Sequence, residues 1–319
     1  MDAQPTPTRL DSLSVVVPVY NSAATLRPLT ERLAAVLPQQ AATFELILVN
    51  DGSRDRSWEV IGELRRAYPW VHGINLMRNY GQHNALLCGL RAAQGEVIVT
   101  MDDDLQHPPE EIPKLLAKLA EGCDVVYGTP TTLPHSWWRN LFSVLTKRIL
   151  AYVIGVPNMR EVSAFRAVRS HVRRAFADYR NPNVLVDVLL GWGTTRFGHT
   201  PVEEAPRAVG RSNYTPAKLI QYGLMILTGF STAPLRLTSM LGFLFTLLGL
   251  GVFVYVVAVY FLLGSVPGFP FLASLIALFS GMQLFALGII GEYLARIFDR
   301  SMDRPAYVVG EDLPPQEGG

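Results

Sequence analysis

Charge is missing from this sequence over one long stretch. From Thr238 to Gly291 there is no Asp, Glu, Lys, Arg or His, and soluble domains rarely leave so long a segment uncharged. Charged residues make up 17% of the 319, well under the roughly 25% of ordinary soluble domains. The N-terminal residues Met1–Asp11 contain no apolar run, so no signal peptide is read there and the first domain is expected to stay in the cytoplasm. Two cysteines, Cys88 and Cys123, stand without Cys-x-x-Cys spacing. That gives no support to a zinc site or a disulfide framework and predicts free, buried thiols. There is no Gly-x-Gly-x-x-Gly, no P-loop lysine and no Gly-x-Ser-x-Gly elbow, so nicotinamide, ATPase and serine-hydrolase readings lose their usual support. The net charge of +1 supplies no basic field of the kind nucleic acid demands, and no nucleic-acid partner is expected.

What is present begins with a repeat of strand, turn and helix. Apolar runs at 13–19, 44–49, 71–76, 96–101 and 123–127 alternate with helical patterns at 25–37, 57–68, 84–93 and 109–121. The strands are apolar on both faces, which predicts an α/β fold with a mostly parallel sheet covered by helices. In such sheets the binding crevice lies beyond the carboxyl ends of the strands. Asn21, Asp51, Arg78 and the acidic run Asp102-Asp103-Asp104 all follow strands and are expected to converge on one mouth. A short helix and then a strand are expected within Val184–Ala205, and a polar loop over Gly210–Thr215.

Two apolar segments, Met240–Leu263 and Phe271–Ile290, approach the ~20 residues needed to cross a bilayer. The loop between them is uncharged, whereas Arg236 precedes them and Arg296, Arg300 and Arg304 follow. The positive-inside rule then predicts a two-span hairpin with both chain ends in the cytoplasm. Lys218–Phe230 reads as a helix along the bilayer surface, broken at Pro234–Leu237. The segment 137–154 is either an ordinary surface helix or a second helix at the interface. The expected organisation is a catalytic domain over 1–217, a juxtamembrane helix over 218–237, the hairpin over 238–291 and a cytoplasmic tail over 292–319.

The acidic run carries the chemistry. Side chains two apart in an extended backbone point the same way, so Asp102 and Asp104 can approach one cation while Asp103 points elsewhere. Adjacent carboxylates repel, and a divalent ion relieves that repulsion. Mg²⁺ or Mn²⁺ takes a few carboxylates and completes its shell with phosphate oxygens. His83 and His107 lie near the same turns without partners at ligand spacing, and are read as structural or hydrogen-bonding groups.

The stretches VVVPVYN (15–21), ELILVNDGSRD (45–55), NYGQHNALLCGL (79–90), VTMDDDLQHPPEEIP (99–113), GRSNY (210–214) and GEYLARIFDRSMDRP (291–305) resemble the polyprenyl-phosphate glycosyltransferases of glycosyltransferase family 2. The resemblance covers nearly the whole chain. It implies a GT-A catalytic domain, a nucleotide-sugar donor linked to UDP, a polyprenyl phosphate acceptor, inverting single displacement at the bilayer of the cell's inner membrane, and a homo-tetramer. By position it places Pro18, Tyr20 and Asn21 around the nucleotide, Asp51 on its base or ribose, and Gln106 near the donor sugar. Arg78, just after the third strand, either faces the diphosphate or pairs with a carboxylate at the surface, and Asp103 is counted with the donor-binding residues. Asp102 and Asp104 become metal ligands, and Arg211 and Ser212 meet the donor diphosphate or the acceptor phosphate.

Three positions depart from the family pattern: Ser22 and Asn213 replace a common acid and a common lysine, and Glu161 replaces an aspartate just before Phe165-Arg166. Glu161 is expected to be a positioning or electrostatic group rather than an obligatory base. A processive polysaccharide synthase lacks support, because there is one hairpin and no Gln-x-x-Arg-Trp motif. A non-catalytic membrane scaffold would leave the acidic run without a role.

Overall fold

The computed structural model describes residues 9–130, 162–205, 232–264 and 268–316. The segments 137–154 and 218–230 and the residues Glu161, Arg211 and Ser212 lie outside this set. The chain divides into two compact units, Met1–Asn213 with Arg304–Gly319, and Tyr214–Asp303.

The first unit alternates as the apolar runs predict. β1 (Leu10–Val19), α1 (Ala23–Gln40), β2 (Ala41–Asn50), α2 (Ser57–Ala67), β3 (Val71–Leu76), α3 (Gln82–Ala92) and β4 (Val97–Thr100) come first. A 3₁₀ turn (Pro109–Glu111), α4 (Ile112–Ala120) and β5 (Val125–Pro130) follow. β6 (Arg166–Arg169), a 3₁₀ segment (Ser170–Phe176), α5 (Val186–Gly193) and β7 (Phe197–Val202) complete the main run. An eighth strand, β8 (Val309–Leu313), comes from the tail. The sheet order is β7-β5-β6-β4-β1-β2-β3-β8. β6 and β8 run against the others, so the sheet is mixed, with a parallel centre. This is the α/β, GT-A-like arrangement.

Alternation along β1 builds two cores at once. Leu13, Val15, Val17 and Val19 pack with Leu26, Leu29 and Leu33 of α1 and with apolar residues of α2 and α4. Val16 points to the other face, among α3 and α5 residues such as Leu87 and Leu189. Each side chain of a strand faces opposite to its neighbours, so a run apolar at every position is buried on both faces. Pro18 sits in this central strand, where a missing N–H is normally costly. The β1–β4 ladder has already ended at Val16↔Thr100. Met101 N–H donates to Val16 C=O, so residue 18, two further on, also turns its amide position toward β4, beyond the last pair.

In the second unit, α6 (Ala233–Leu263) and α7 (Phe269–Ser301) are single long helices. Pro234–Leu237 is itself helical, and the segment 218–230 that it is expected to break lies outside the described residues. Pro234 lies in the first turn of α6, where no intrahelical N–H is lost. α7 likewise runs past the expected end of the span. Pro234–Leu262 and Leu278–Phe298 are apolar enough to cross a membrane, with mean hydropathy 2.4 and 1.4, and neither is buried within the protein. Phe253, Leu284 and Leu287 are more than half exposed. Surfaces of this kind call for an apolar surrounding. The two helices meet where the Phe245 and Phe279 rings stack edge-on at 5.9 Å. A side chain at Gly249 would come within 3.0 Å of Phe279, the close approach that small residues permit between membrane helices.

Candidate active site

The parallel strands β1, β2, β3 and β4 end together, and the loops leaving them make one mouth. The loop after β1 turns at Asn21, whose φ of 56° is left-handed, a conformation Asn tolerates better than most residues. Its N–H donates to Ser53 Oγ at 3.0 Å and its Oδ1 accepts Arg54 N–H at 2.8 Å. Asp55 ties the same loops together, accepting from Ala23 N and from Ser57 N and Oγ. Tyr20 is 46% exposed at the rim.

Asp51 follows β2 and is buried. Its two oxygens accept the N–H groups of Tyr80 at 2.6 Å and Gly81 at 2.9 Å. Burial raises its pKa, and those two amides oppose the rise. Asp51 therefore shapes the strip 78–81. A carboxylate carries about four lone-pair sites, so acceptor capacity for a ligand remains. Asn79 Nδ2 donates back to Asp51 C=O at 3.1 Å. Arg78 is exposed, its guanidinium 4.6 Å from the Tyr80 ring centroid. Gly52 makes this packing possible. Its φ is +63°, and a Cβ there would lie 2.5 Å from Asn79 N and 2.6 Å from Arg78 C. Both are backbone atoms. We expect Gly52→Ala to cost more than the roughly 1–2 kcal/mol of left-handed backbone alone, read as a fall in the thermal unfolding midpoint.

The acidic run leaves the buried end of β4. Asp102 Oδ1 accepts Gln82 Nε2 from the first turn of α3 at 2.7 Å. Asp104 Oδ1 accepts Gln106 N–H at 3.1 Å. Leu105 between them has a φ of 63°, a strained conformation for a leucine and one that clusters at functional sites. Residues 103–105 form a turn and a bend rather than an extended run, so strand alternation does not govern them, and Asp103 has partners of its own. It accepts Tyr20 N–H at 3.3 Å and a hydrogen bond from Ser22. Burial pushes its carboxyl up to about 6, against those two hydrogen bonds, with the charges of Asp102 and Asp104 adding to the rise. Ser22 thus supplies a donor to Asp103, where an acid would repel it.

Asp102 and Asp104 fit a hard divalent cation by the chemistry of their donors. Each keeps acceptor capacity beside its hydrogen bond. Among the described residues no group of three or more His, Cys, Asp or Glu could hold a metal. Protein ligands alone would not fill a shell, which suits Mg²⁺ or Mn²⁺ completing it with phosphate and water.

Both histidines have structural surroundings. His83 Nδ1 accepts Val186 N–H at 3.4 Å, and burial lowers its pKa. His107 is buried, stacked on Phe165 at 5.3 Å, with Nε2 3.6 Å from Glu204.

Two groups beneath the mouth are additional to the expected site residues. Gln82 is one. The other is the buried ion pair of Arg166 and Asp187, with Arg166 Nε donating to Thr100 Oγ1 at 2.9 Å and Tyr127 Oη donating to Asp187 at 3.0 Å. Thr100 stands two residues before Asp102, so this pair holds the end of β4 from below.

A GT-A-like sheet with an acidic loop and a buried aspartate at its carboxyl edge is the frame of a glycosyltransferase. Residues 14–172 match Glycosyl transferase family 2, and the chain belongs to that family. It is 35% identical over 310 residues to the undecaprenyl-phosphate 4-deoxy-4-formamido-L-arabinose transferase of Shewanella sediminis, covering 95% of this chain and 93% of the relative. It is 34% identical over 305 residues to the same transferase from Proteus mirabilis, covering 94% of each. Among solved structures, glucosyl-3-phosphoglycerate synthase from Mycobacterium tuberculosis, in complex with Mn²⁺, UDP-glucose and phosphoglyceric acid, aligns with a TM-score of 0.51 at 16% identity. That alignment covers 68% of this chain and 78% of the synthase, and it is a likeness of fold.

Proposed function

We propose that this glycosyltransferase moves a sugar from a UDP-linked donor to a polyprenyl phosphate, with inversion at the anomeric carbon. The products are polyprenyl-phosphate-sugar and UDP. The observation that carries the reading is the pairing, in one chain, of an acidic loop at the sheet's carboxyl edge with two long apolar helices that are exposed among the described residues. The names of the full-length relatives support the acceptor.

The lipid phosphate has a second pKa of about 6 and is mostly dianionic at neutral pH. One of its oxygens attacks the anomeric carbon. The bond from that carbon to the β-phosphate oxygen breaks, and its electron pair leaves with UDP. Such a nucleophile needs no general base, so Glu161 orients rather than deprotonates. Asp51, with the strip 78–81, and Asn21 hold the nucleoside. Asp102 and Asp104 would hold Mg²⁺ or Mn²⁺, and the chemistry supplied by that ion is neutralisation of charge on the departing diphosphate. Arg211 and Ser212 meet a phosphate of donor or acceptor. The hairpin keeps the acceptor's headgroup in reach, which favours encounter and orientation. The positive-inside rule, applied to Arg236, Arg296, Arg300 and Arg304, supports a topology with both chain ends and the catalytic domain on the cytoplasmic face.

The test is the purified full chain with undecaprenyl phosphate, Mn²⁺ and a panel of nucleotide sugars, products identified by mass spectrometry. One UDP-sugar is expected to give a lipid-phosphate-sugar. Transfer only to a soluble acceptor would overturn the lipid half of the reading.

A further inference from the structure

The chain passes through both apolar helices and then returns to the sheet. Only Met302–Pro305 separate the end of α7 from Ala306, which is 4% exposed and packs in the α3 side of the core. Tyr307 shares hydrogen bonds with Arg91 and Cys88 of α3. The Arg91 guanidinium also lies 5.8 Å from its ring centroid. Val308 C=O accepts Met77 N–H at 3.0 Å. β8 then pairs antiparallel along β3, from Leu76↔Val309 to Gly73↔Leu313. Its side chains are anchored as well: Trp58 Nε1 donates to Glu311 at 2.8 Å, and His72 pairs with Asp312 at 2.6 Å.

These contacts fall beside the residues that organise Asp51. Met77 immediately precedes the strip 78–81 that supplies the two N–H groups to Asp51. Gly52 packs against Arg78 and Asn79 from one side. The bond from Met77 to Val308 fixes the start of the strip from the other. β3 would otherwise be an edge strand of six residues, and frayed edges are the low-stability parts of a sheet. A strip hung from a fraying edge cannot hold two amides at hydrogen-bonding distance from one carboxylate.

We propose that residues 306–313 are positioning residues for the donor: they complete the wall of the nucleoside pocket from outside. This rests on the reading of Asp51 and 78–81 as the nucleoside site. Because they follow the hairpin in the chain, the pocket is completed only after both apolar helices have been made. The catalytic domain therefore cannot bind donor well until the membrane anchor exists. None of the residues 306–313 touches substrate. Their effect passes through Met77 and the strip to Asp51.

The test uses the full chain in detergent or nanodiscs. Ala306→Arg puts a charge into the core and should lift the segment. His72→Gln with Glu311→Gln weakens the anchors and leaves the core intact, so it serves if the first variant does not fold. Hydrogen exchange at Met77 and β3 reports release of the segment. UDP binding with Mn²⁺ and donor KM against kcat report the pocket. Release is expected to weaken UDP binding by about tenfold or more and raise donor KM, with kcat at saturating donor within about twofold. Faster exchange at Met77 and β3 with UDP affinity unchanged would overturn the proposal while leaving the function intact. A native chain that binds no UDP would overturn both.

Discussion

Asp104→Ala is expected to lose turnover by about 10³-fold or more while the protein folds and inserts as before. The carboxylate does two separable things. Its Oδ1 accepts Gln106 N–H at 3.1 Å, a local turn contact worth about 1 kcal/mol. On the proposed reading its charge also offers a hard ligand to a cation beside the donor diphosphate. Alanine removes both, and asparagine removes only the charge. Asp104→Asn should therefore hold its unfolding midpoint near the parent's and still lose turnover almost as completely. Both variants should also lose the Mn²⁺-dependent part of UDP binding by calorimetry. That readout does not depend on finding the right sugar. Parent-like turnover in Asp104→Asn would remove the metal role from this carboxylate, and the acidic loop would need another purpose.

The position of Asp104 at the sheet's carboxyl edge is legible in the sequence because its signal is local. An apolar run ends in carboxylates, and that order alone puts them at a sheet's edge. The central strands were legible for the same reason, since Val15–Val19 and Leu46–Val49 can only be buried on both faces. β6 and β8 were not legible. Their sequences, Arg-Ala-Val-Arg and Val-Gly-Glu-Asp-Leu, have no alternation to read, and what specifies them is the strand they lie against. Gln82 lies within the stretch 79–90 that carries the family resemblance, but nothing in that stretch says which of its residues faces the site. It acquires meaning only when α3 is placed so that its amide reaches Asp102. The alternation expected of Asp102, Asp103 and Asp104 assumes an extended backbone, whereas 103–105 turn, and the bonds of Asp103 to Tyr20 and Ser22 require two loops about 80 residues apart to be brought together. Proline breaks a helix interior yet starts a helix well, and local sequence alone does not say that Pro234 opens α6.

The second large effect concerns stability, and it lies at Arg166. Arginine is by default a surface residue, so its sequence context gave no hint of burial, yet it is 2% exposed. Its guanidinium pairs with Asp187 and bonds Thr100. Replacing Asp187 with alanine would leave that cation buried and unpaired, at a cost of about 3–5 kcal/mol. For a unit of this size the unfolding midpoint should fall by roughly 10 °C. Arg166→Met strands the Asp187 carboxylate instead, with Tyr127 Oη still donating to it at 3.0 Å, so its cost should be smaller. The pair is not required for stability as such. Arg166→Met with Asp187→Leu fills the same space with apolar groups and should recover most of the lost midpoint, because a buried ion pair seldom outperforms good packing. What the double variant cannot restore is the hold on Thr100, two residues before Asp102 at the end of β4. A rescued midpoint with kcat still depressed would assign the pair to aligning the acidic loop. Rescue of both would make it a packing element alone, and failure of the midpoint to recover would mean the pair stabilises the fold beyond what apolar contact can replace.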